Sequence, residues 1–152
     1  SSKTVIGFDT ETKPAFKRGQ INNVALLQLA TEEKCYLFRL NKIGFPKELE
    51  DLMSNANVKK IGLSLRDDFA ALRKRTGKTP ENFIDLQLFV DKFDIEDNSL
   101  QKIYAILFGQ KISKSQRLSN WEAAELSPAQ QSYAAIDAWA CLRIYNHLTQ
   151  KS

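Results

Sequence analysis

The chain has 152 residues, of which 43% are hydrophobic and 26% charged, a size and balance that fit one globular domain with a real core and exclude a disordered chain. No apolar run approaches the roughly 18 residues that cross a bilayer, and no signal-peptide pattern is visible. The net charge of +4 is a mild excess, compatible with a polyanionic partner without demanding one.

Thr4 to Thr10 reads as a strand, with Val5, Ile6 and Phe8 as β-formers around Gly7. Lys13 to Gln20, carrying Pro14 and Gly19, reads as a loop. Val24 to Ala30 is a second strand, apolar on both faces, and Lys34 to Arg39 a third, joined to it by a tight turn at Thr31-Glu32-Glu33 as a hairpin. Pro46 suits the first turn of a helix running to about Ala56, with Leu49, Leu52 and Met53 on one face.

Val58 to Leu63 reads as a fourth strand, and a helix follows from about Arg66 to Thr76, ending near Gly77. Phe83 to Asp85 is a short fifth strand, and Leu86 to Phe93 reads as helical. Ser99 caps a helix through Phe108, with Gly109 just past its end. Lys111 to Ser119 is a polar, basic loop. Ser127 as N-cap, Pro128 at the first helical position and Gln130 completing a capping box open a last helix that runs to about Leu148. An antiparallel opening followed by β-α-β crossovers predicts an α/β fold: a mixed five-stranded sheet with helices on both faces.

Two lone cysteines, Cys35 and Cys141, sit in apolar surroundings and read as buried, reduced core residues of a reducing compartment. With His147 as the single histidine, a zinc site and a Ser-His or Cys-His nucleophile system are both disfavoured. By elimination, any catalysis rests on carboxylates, Tyr, Lys or Ser. Basic residues cluster at Lys59-Lys60, at Arg73-Lys74-Arg75 with Lys78, and at Lys111, Lys114 and Arg117; each cluster is either a solvated face or a contact for a polyanion.

Ser132 to Trp139 is the most informative segment. Tyr133 and Asp137 stand four apart on one face of a helix, and Asp137 is the only acid across the apolar stretch from Tyr133 to Leu142. Asp9 and Glu11 close an apolar strand and share a face of it. The acid-x-acid spacing is common, recurring at Glu48/Glu50 and Asp94/Glu96, and both acids reaching solvent at a strand end is the simpler alternative. An unpaired charge in an apolar setting is costly, however, and a bound cation would offset that cost. Three carboxylates and a phenol aimed at one volume suggest a divalent-metal site for phosphoryl chemistry. Asp67 and Asp68 begin the fourth-strand helix, where the helix dipole alone favours acids.

In order along the chain, Phe8-Asp9-Thr10-Glu11, Val24-Ala-Leu-Leu-Gln-Leu29, Ile61-Gly62 with Asp68-x-x-x-Leu72, and Leu100 to Gly109 resemble motifs of the DEDD superfamily of 3′–5′ exonucleases. Arg117-Leu-Ser-Asn-Trp121 and Leu126-Ser-x-x-Gln130-x-x-Tyr133-Ala-Ala-Ile-Asp137-Ala138 complete the set. The resemblance is to the tyrosine-bearing branch, to exonuclease domains of the Werner-helicase kind and next to RNase D. It spans nearly the whole chain, and the ordered set is highly specific where any one piece is not.

The resemblance implies a ribonuclease H-like fold over residues 1–152 as a single exonuclease domain, with a Ser-Ser start that suits a domain trimmed from a longer chain. It implies metal ligands Asp9, Glu11, Asp68 and Asp137, with Tyr133 near the attacking water; Asp68 is chosen over Asp67 because it stands four residues before Leu72. Two cations about 4 Å apart, Mg²⁺ or Mn²⁺, suit phosphodiester hydrolysis. Asp9 would bridge them, Glu11 and Asp137 hold the nucleophile's cation, and Asp68 help hold the second. The product would be a nucleoside 5′-monophosphate released from a 3′ end, single-stranded or recessed.

Candidate substrate contacts are Thr10 at the terminal nucleotide, Lys114 and Arg117 on phosphates, Trp121 stacked on a base or packed in the core, and Phe69 wedged between bases or packed against Leu72. RNase D sequences usually carry Arg-Pro before the leucine of the last motif; Ala124-Glu125 stand here, which tilts the expected substrate from RNA to DNA. The rival expectations are an inactive nucleic-acid-binding domain of the same fold, an RNase D-like RNA trimmer, and a plain α/β domain without a site. A helicase or other flanking domain is an expected partner and a membrane is not. The setting would be cytoplasmic in a bacterium or nuclear in a eukaryote.

Overall fold

The computed structural model describes residues 4–93 and 99–150. Its sheet has the order β3-β2-β1-β4-β5. The strands are β1 (Thr4–Thr12), β2 (Val24–Ala30), β3 (Cys35–Arg39), β4 (Val58–Gly62) and β5 (Phe83–Asp85). β2 runs antiparallel to both of its neighbours, β1 and β3, whereas β4 runs parallel to β1 and β5 parallel to β4. This is the mixed sheet expected, with β1 at its centre.

The β2–β3 turn closes as read: the Thr31 N–H donates to Lys34 O at 2.8 Å, and the Thr31 hydroxyl accepts from Lys34 N at 3.1 Å. All seven residues of β2 are buried, because helices cover both faces of the sheet. On one face, Ile6 and Phe8 pack with Leu27, Leu49, Leu65 and Leu72. On the other, Ile61 packs with Ile103, Ile144 and Leu148 beneath a long last helix.

The helices are α1 (Leu40–Ile43), α2 (Lys47–Ser54), α3 (Leu65–Arg73), α4 (Leu86–Phe89), α5 (Leu100–Phe108) and α6 (Pro128–Gln150). α1 has no counterpart in the sequence reading; four residues are too few for a periodic pattern. Pro46 is the extended N-cap of α2 rather than a residue of its first turn, and α2 stops at Ser54. α3 ends at Arg73, short of Thr76. The Leu86 to Phe93 segment divides into α4 and a single 3₁₀ turn, Val90–Phe93.

α5 and α6 hold the expected caps. Ser99 Oγ accepts from Lys102 N at 3.2 Å, and Gly109 takes the left-handed conformation at φ 66° that closes a helix. At the start of α6, Gln130 N donates to Ser127 Oγ at 3.1 Å while Ser127 N donates to Gln130 Oε1 at 2.9 Å, the reciprocal capping box. Cys141 is buried as expected; Cys35 is only half-buried, at the start of β3, and both thiols are free. The Asp94/Glu96 pair lies outside the described residues. No helix among the described residues is long and apolar enough to cross a membrane.

Candidate active site

Strand alternation puts Gly7, Asp9 and Glu11 on the face of β1 that α6 covers, and Phe8 and Thr10 on the opposite face. Gly7 sets how closely α6 approaches: a Cβ there would lie 1.9 Å from Ala138 O. The missing side chain seats the helix against the strand and places Asp137, beside Ala138, over the two strand acids. Carboxylate oxygens of Asp9, Glu11 and Asp137 lie within 4.8 Å of one another. Tyr133, one turn earlier on the same face, is buried with the Trp121 ring behind it at 5.9 Å.

Asp68 is not part of that trio: it stands on α3, which packs against the other face of the sheet. Thr10, pointing to that face, donates its hydroxyl hydrogen bond to Asp68 Oδ1. Asp67 is exposed on the first turn of the same helix. The α3 N-terminus is fixed by Asp85 at the end of β5, whose carboxylate accepts from Ser64 N and Leu65 N at 3.0 Å each and also caps α4 through Gln87 N at 2.9 Å.

Burial pushes all four acids toward their protonated form, and neighbouring carboxylates add to it at Asp9, Glu11 and Asp68. Asp9 is raised well above the ordinary carboxylate range by burial, then by Glu11, Asp137 and Asp68. Burial and Asp137 raise Glu11 to about 8, partly offset by a hydrogen bond from Gln28. Burial raises Asp137 to about 7. Burial also raises Asp68 to about 6, against the Thr10 hydrogen bond. Burial and the three acids hold the Tyr133 phenol protonated, with Arg117 opposing them.

The residues present fit a divalent cation. Asp137 Oδ1 is buried without a hydrogen-bond partner, a costly state for a carboxylate oxygen that a cation would relieve. The donor set is all carboxylate oxygen, which suits a hard divalent cation over softer ions. A cleft of about 310 Å³ opens over the group, with Asp9 and Asp137 at its base and Lys114, Arg117 and Gln101 among its walls. Anionic floor and cationic wall together suit a phosphodiester held beside a hard cation.

Two expected substrate contacts are corrected. Trp121 is fully buried among Ala25, Leu26 and Tyr133, so its ring is not open to a base. Its indole N–H donates to Arg117 O at 3.4 Å instead, tethering the loop that carries Arg117. Phe69 is half-buried edge-on against Phe83 at 4.9 Å, the core packing given as its alternative. The Thr10 hydroxyl is committed to Asp68. Lys114 and Arg117 line the cleft as expected.

Three contributors escaped the sequence reading: Gly7, Asp85 and Gln28. Gln28 lies directly opposite Asp9 in the β1–β2 ladder, is fully buried, and donates to Ala134 O at 3.2 Å, tying α6 to the sheet beside the acids. A lone glutamine within an otherwise apolar strand was the available signal.

A sequence model of the family described as 3′–5′ exonuclease matches residues 1–152. The bifunctional 3′–5′ exonuclease/ATP-dependent helicase WRN of Mus musculus is 35% identical over 154 residues, covering 97% of this chain and 11% of that protein. This chain thus corresponds to a small part of that relative. The structure of the Aedes aegypti Nibbler EXO domain has a TM-score of 0.83 at 25% identity, covering 98% of this chain and 79% of that one. Escherichia coli RNase D shares the fold, with a TM-score of 0.83 at 23% identity over 98% of this chain and 40% of its own.

Proposed function

This chain belongs to the 3′–5′ exonuclease family, and from that premise we propose that it removes nucleotides one at a time from the 3′ end of a nucleic-acid strand, with DNA preferred, releasing nucleoside 5′-monophosphates. The observation that carries the reading is the trio Asp9, Glu11 and Asp137, the last two buried, with no partner for Asp137 Oδ1 among the described residues, beneath a wall that bears Lys114 and Arg117.

Asp9, Glu11 and Asp137 would hold one divalent cation, and Asp68, with Asp9, a second. Bound there, such ions neutralise the phosphate, lower the pKa of the attacking water and stabilise the leaving oxygen. Thr10 orients the Asp68 carboxylate through its hydroxyl. Tyr133, kept protonated by its surroundings, serves through Oη as a positioned hydrogen-bond partner for the attacking water rather than as its base. Arg117 and Lys114 grip the phosphate next to the bond that breaks, fixing the strand without reading its sequence. The preference for DNA is supported by Ala124-Glu125, which stand where RNase D sequences carry Arg-Pro.

The test is a gel time course of a 5′-labelled DNA oligonucleotide with Mn²⁺. A ladder descending by single nucleotides from the 3′ end is expected, abolished by Asp9→Asn or Asp137→Asn. Full activity in either variant would sink these roles. Shortening of an RNA strand alone would overturn the DNA preference. An intact strand of either kind, still bound by the protein, would leave the inactive binding domain as the reading.

A further inference from the structure

The catalytic cleft does not end at its own rim. Gln101 and Lys114 line it on one side and on the other line a second, larger cavity of about 670 Å³ between α5 and the segment after Gly109. That size is ordinary for a ligand-binding cavity, roughly 300–1,000 Å³. Lys102, Lys111 and Lys114 all border it, with Ile112 and Ala105 as its apolar surface and no carboxylate among its described lining residues. It is cationic where the neighbouring cleft is anionic.

The remaining basic clusters of the chain are largely consumed by the fold. Lys60 is buried and donates to Leu52 O and Asn55 O, closing the end of α2. Lys59 bonds the Tyr145 hydroxyl. Arg75 spends its guanidinium on Val24 O and Leu40 O, and Lys78 pairs with Asp51. Lys111 and Lys114 by contrast are exposed and make no side-chain hydrogen bond or ion pair with the described residues.

We propose that this lysine-bordered cavity is the path of the substrate strand upstream of the scissile bond, the Lys111 and Lys114 ammonium groups taking successive backbone phosphates of the nucleotides 5′ to the one removed. The inference rests on the exonuclease reading for which end of the strand enters the cleft. A strand whose terminal phosphodiester sits over Asp9 and Asp137 leaves across the wall shared by the two cavities, where Lys114 serves both. Ile112 offers an apolar surface for a base, while the lysines act as sequence-independent phosphate contacts.

The test measures binding and cleavage separately. Fluorescence anisotropy of a 5′-labelled thymidine dodecanucleotide, with Ca²⁺ in place of the catalytic cation, compares the unmodified protein with Lys111→Ala/Lys114→Ala across a salt series. The double variant is expected to bind about tenfold more weakly at low salt. Its log–log salt slope should be shallower by about 1.4, at roughly 0.7 per single-strand phosphate contact. The loss on a labelled trinucleotide, too short to reach across the cavity, should be several-fold smaller.

Lys34→Ala/Lys42→Ala removes the same charge from exposed positions elsewhere and is the control. Equal affinity and slope in the cavity variant, or an equal fractional loss on both lengths or in the control, would overturn the proposal. Cleavage of the dodecanucleotide with Mn²⁺ is scored independently. Absent cleavage with the expected binding loss supports the strand path while sinking the catalytic reading. Cleavage with unaltered binding does the reverse.

Discussion

Gly7 lies so close beneath Ala138 that the carbonyl oxygen of the latter fills the place a Cβ would take, at 1.9 Å. Backbone, not a flexible side chain, is the obstruction, so neither partner can yield locally. Gly7→Ala is expected to destabilise the domain by about 3 kcal/mol, read from the urea midpoint. Activity measured well below the melting temperature should fall as well, because lifting α6 carries Tyr133 and Asp137 away from Asp9 and Glu11.

Asp137→Asn should separate stability from activity. It removes a buried carboxylate whose charged form is disfavoured at its site. With a chelator present near pH 8, the variant is expected to melt higher by about 3 °C, roughly 1 kcal/mol for a domain of this size. Saturating Mn²⁺, at about 100-fold above its dissociation constant, should stabilise the unmodified protein by about 2.7 kcal/mol per site and do little for the variant. Activity should drop by about 10²-fold or more. A variant that still gains stability from Mn²⁺ would remove Asp137 from the ligand set.

The pH dependence has a defined sign. Glu11, Asp137 and Asp68, raised to about 8, 7 and 6, bind protons more tightly folded than unfolded. Between the ordinary carboxyl range near pH ~4 and those folded values, the folded chain carries the extra protons. The stability these groups contribute is therefore full below that range and lost as pH rises toward 8. Denaturant titrations in chelator should show this decline, flattened in Glu11→Gln. With Mn²⁺ the slope should reverse, since the cation displaces those protons, and activity should climb over the same interval.

Asp85 never touches the cleft, yet its carboxylate holds the start of α3 through Ser64 N and Leu65 N. Asp85→Ala should cost about 2–3 kcal/mol, since the lost hydrogen bonds are to a charged group. It should also lower kcat at temperatures where the variant is fully folded, because Asp68 rides on that helix. Partial recovery of both with Asp85→Asn would separate the cap from the charge.

Trp121 tests core against substrate contact. Trp121→Ala is expected to destabilise by about 3–5 kcal/mol. Oligonucleotide affinity per folded molecule should change by less than the roughly 1–3 kcal/mol that a lost base stack would remove. Anisotropy on protein whose folding has been checked by circular dichroism measures that difference.

The strands, the capping box of α6 and the spacing of Tyr133 and Asp137 were legible because each is written in local periodicity or in a short cap signal. What escaped depends on distant chain segments meeting. Gly7 looks like a weak point in a strand until Ala138 is placed over it, and Asp85 looks like a strand end until the α3 N-terminus arrives. Trp121 reads by sequence as either a base contact or a core residue, and it lies in the core because Tyr133 and β2 close over it. Helix ends were misplaced where no cap residue marks them, as at Arg73.

The long last helix unites two duties that many domains keep apart. Tyr133 and Asp137 belong to the same 23-residue helix whose Ile144 and Leu148 anchor the core. The groups proposed to do the chemistry thus share the fate of the whole fold, and amide exchange around them should proceed only through global opening. Lys111, Lys114 and Arg117 sit outside regular structure, on a segment joined to the core mainly through Trp121 and Gln130. In the proposed reaction the metal ligands Asp9, Glu11 and Asp137 thus stand on regular structure and the strand contacts on a loop, a division suited to a substrate that must advance after every cut.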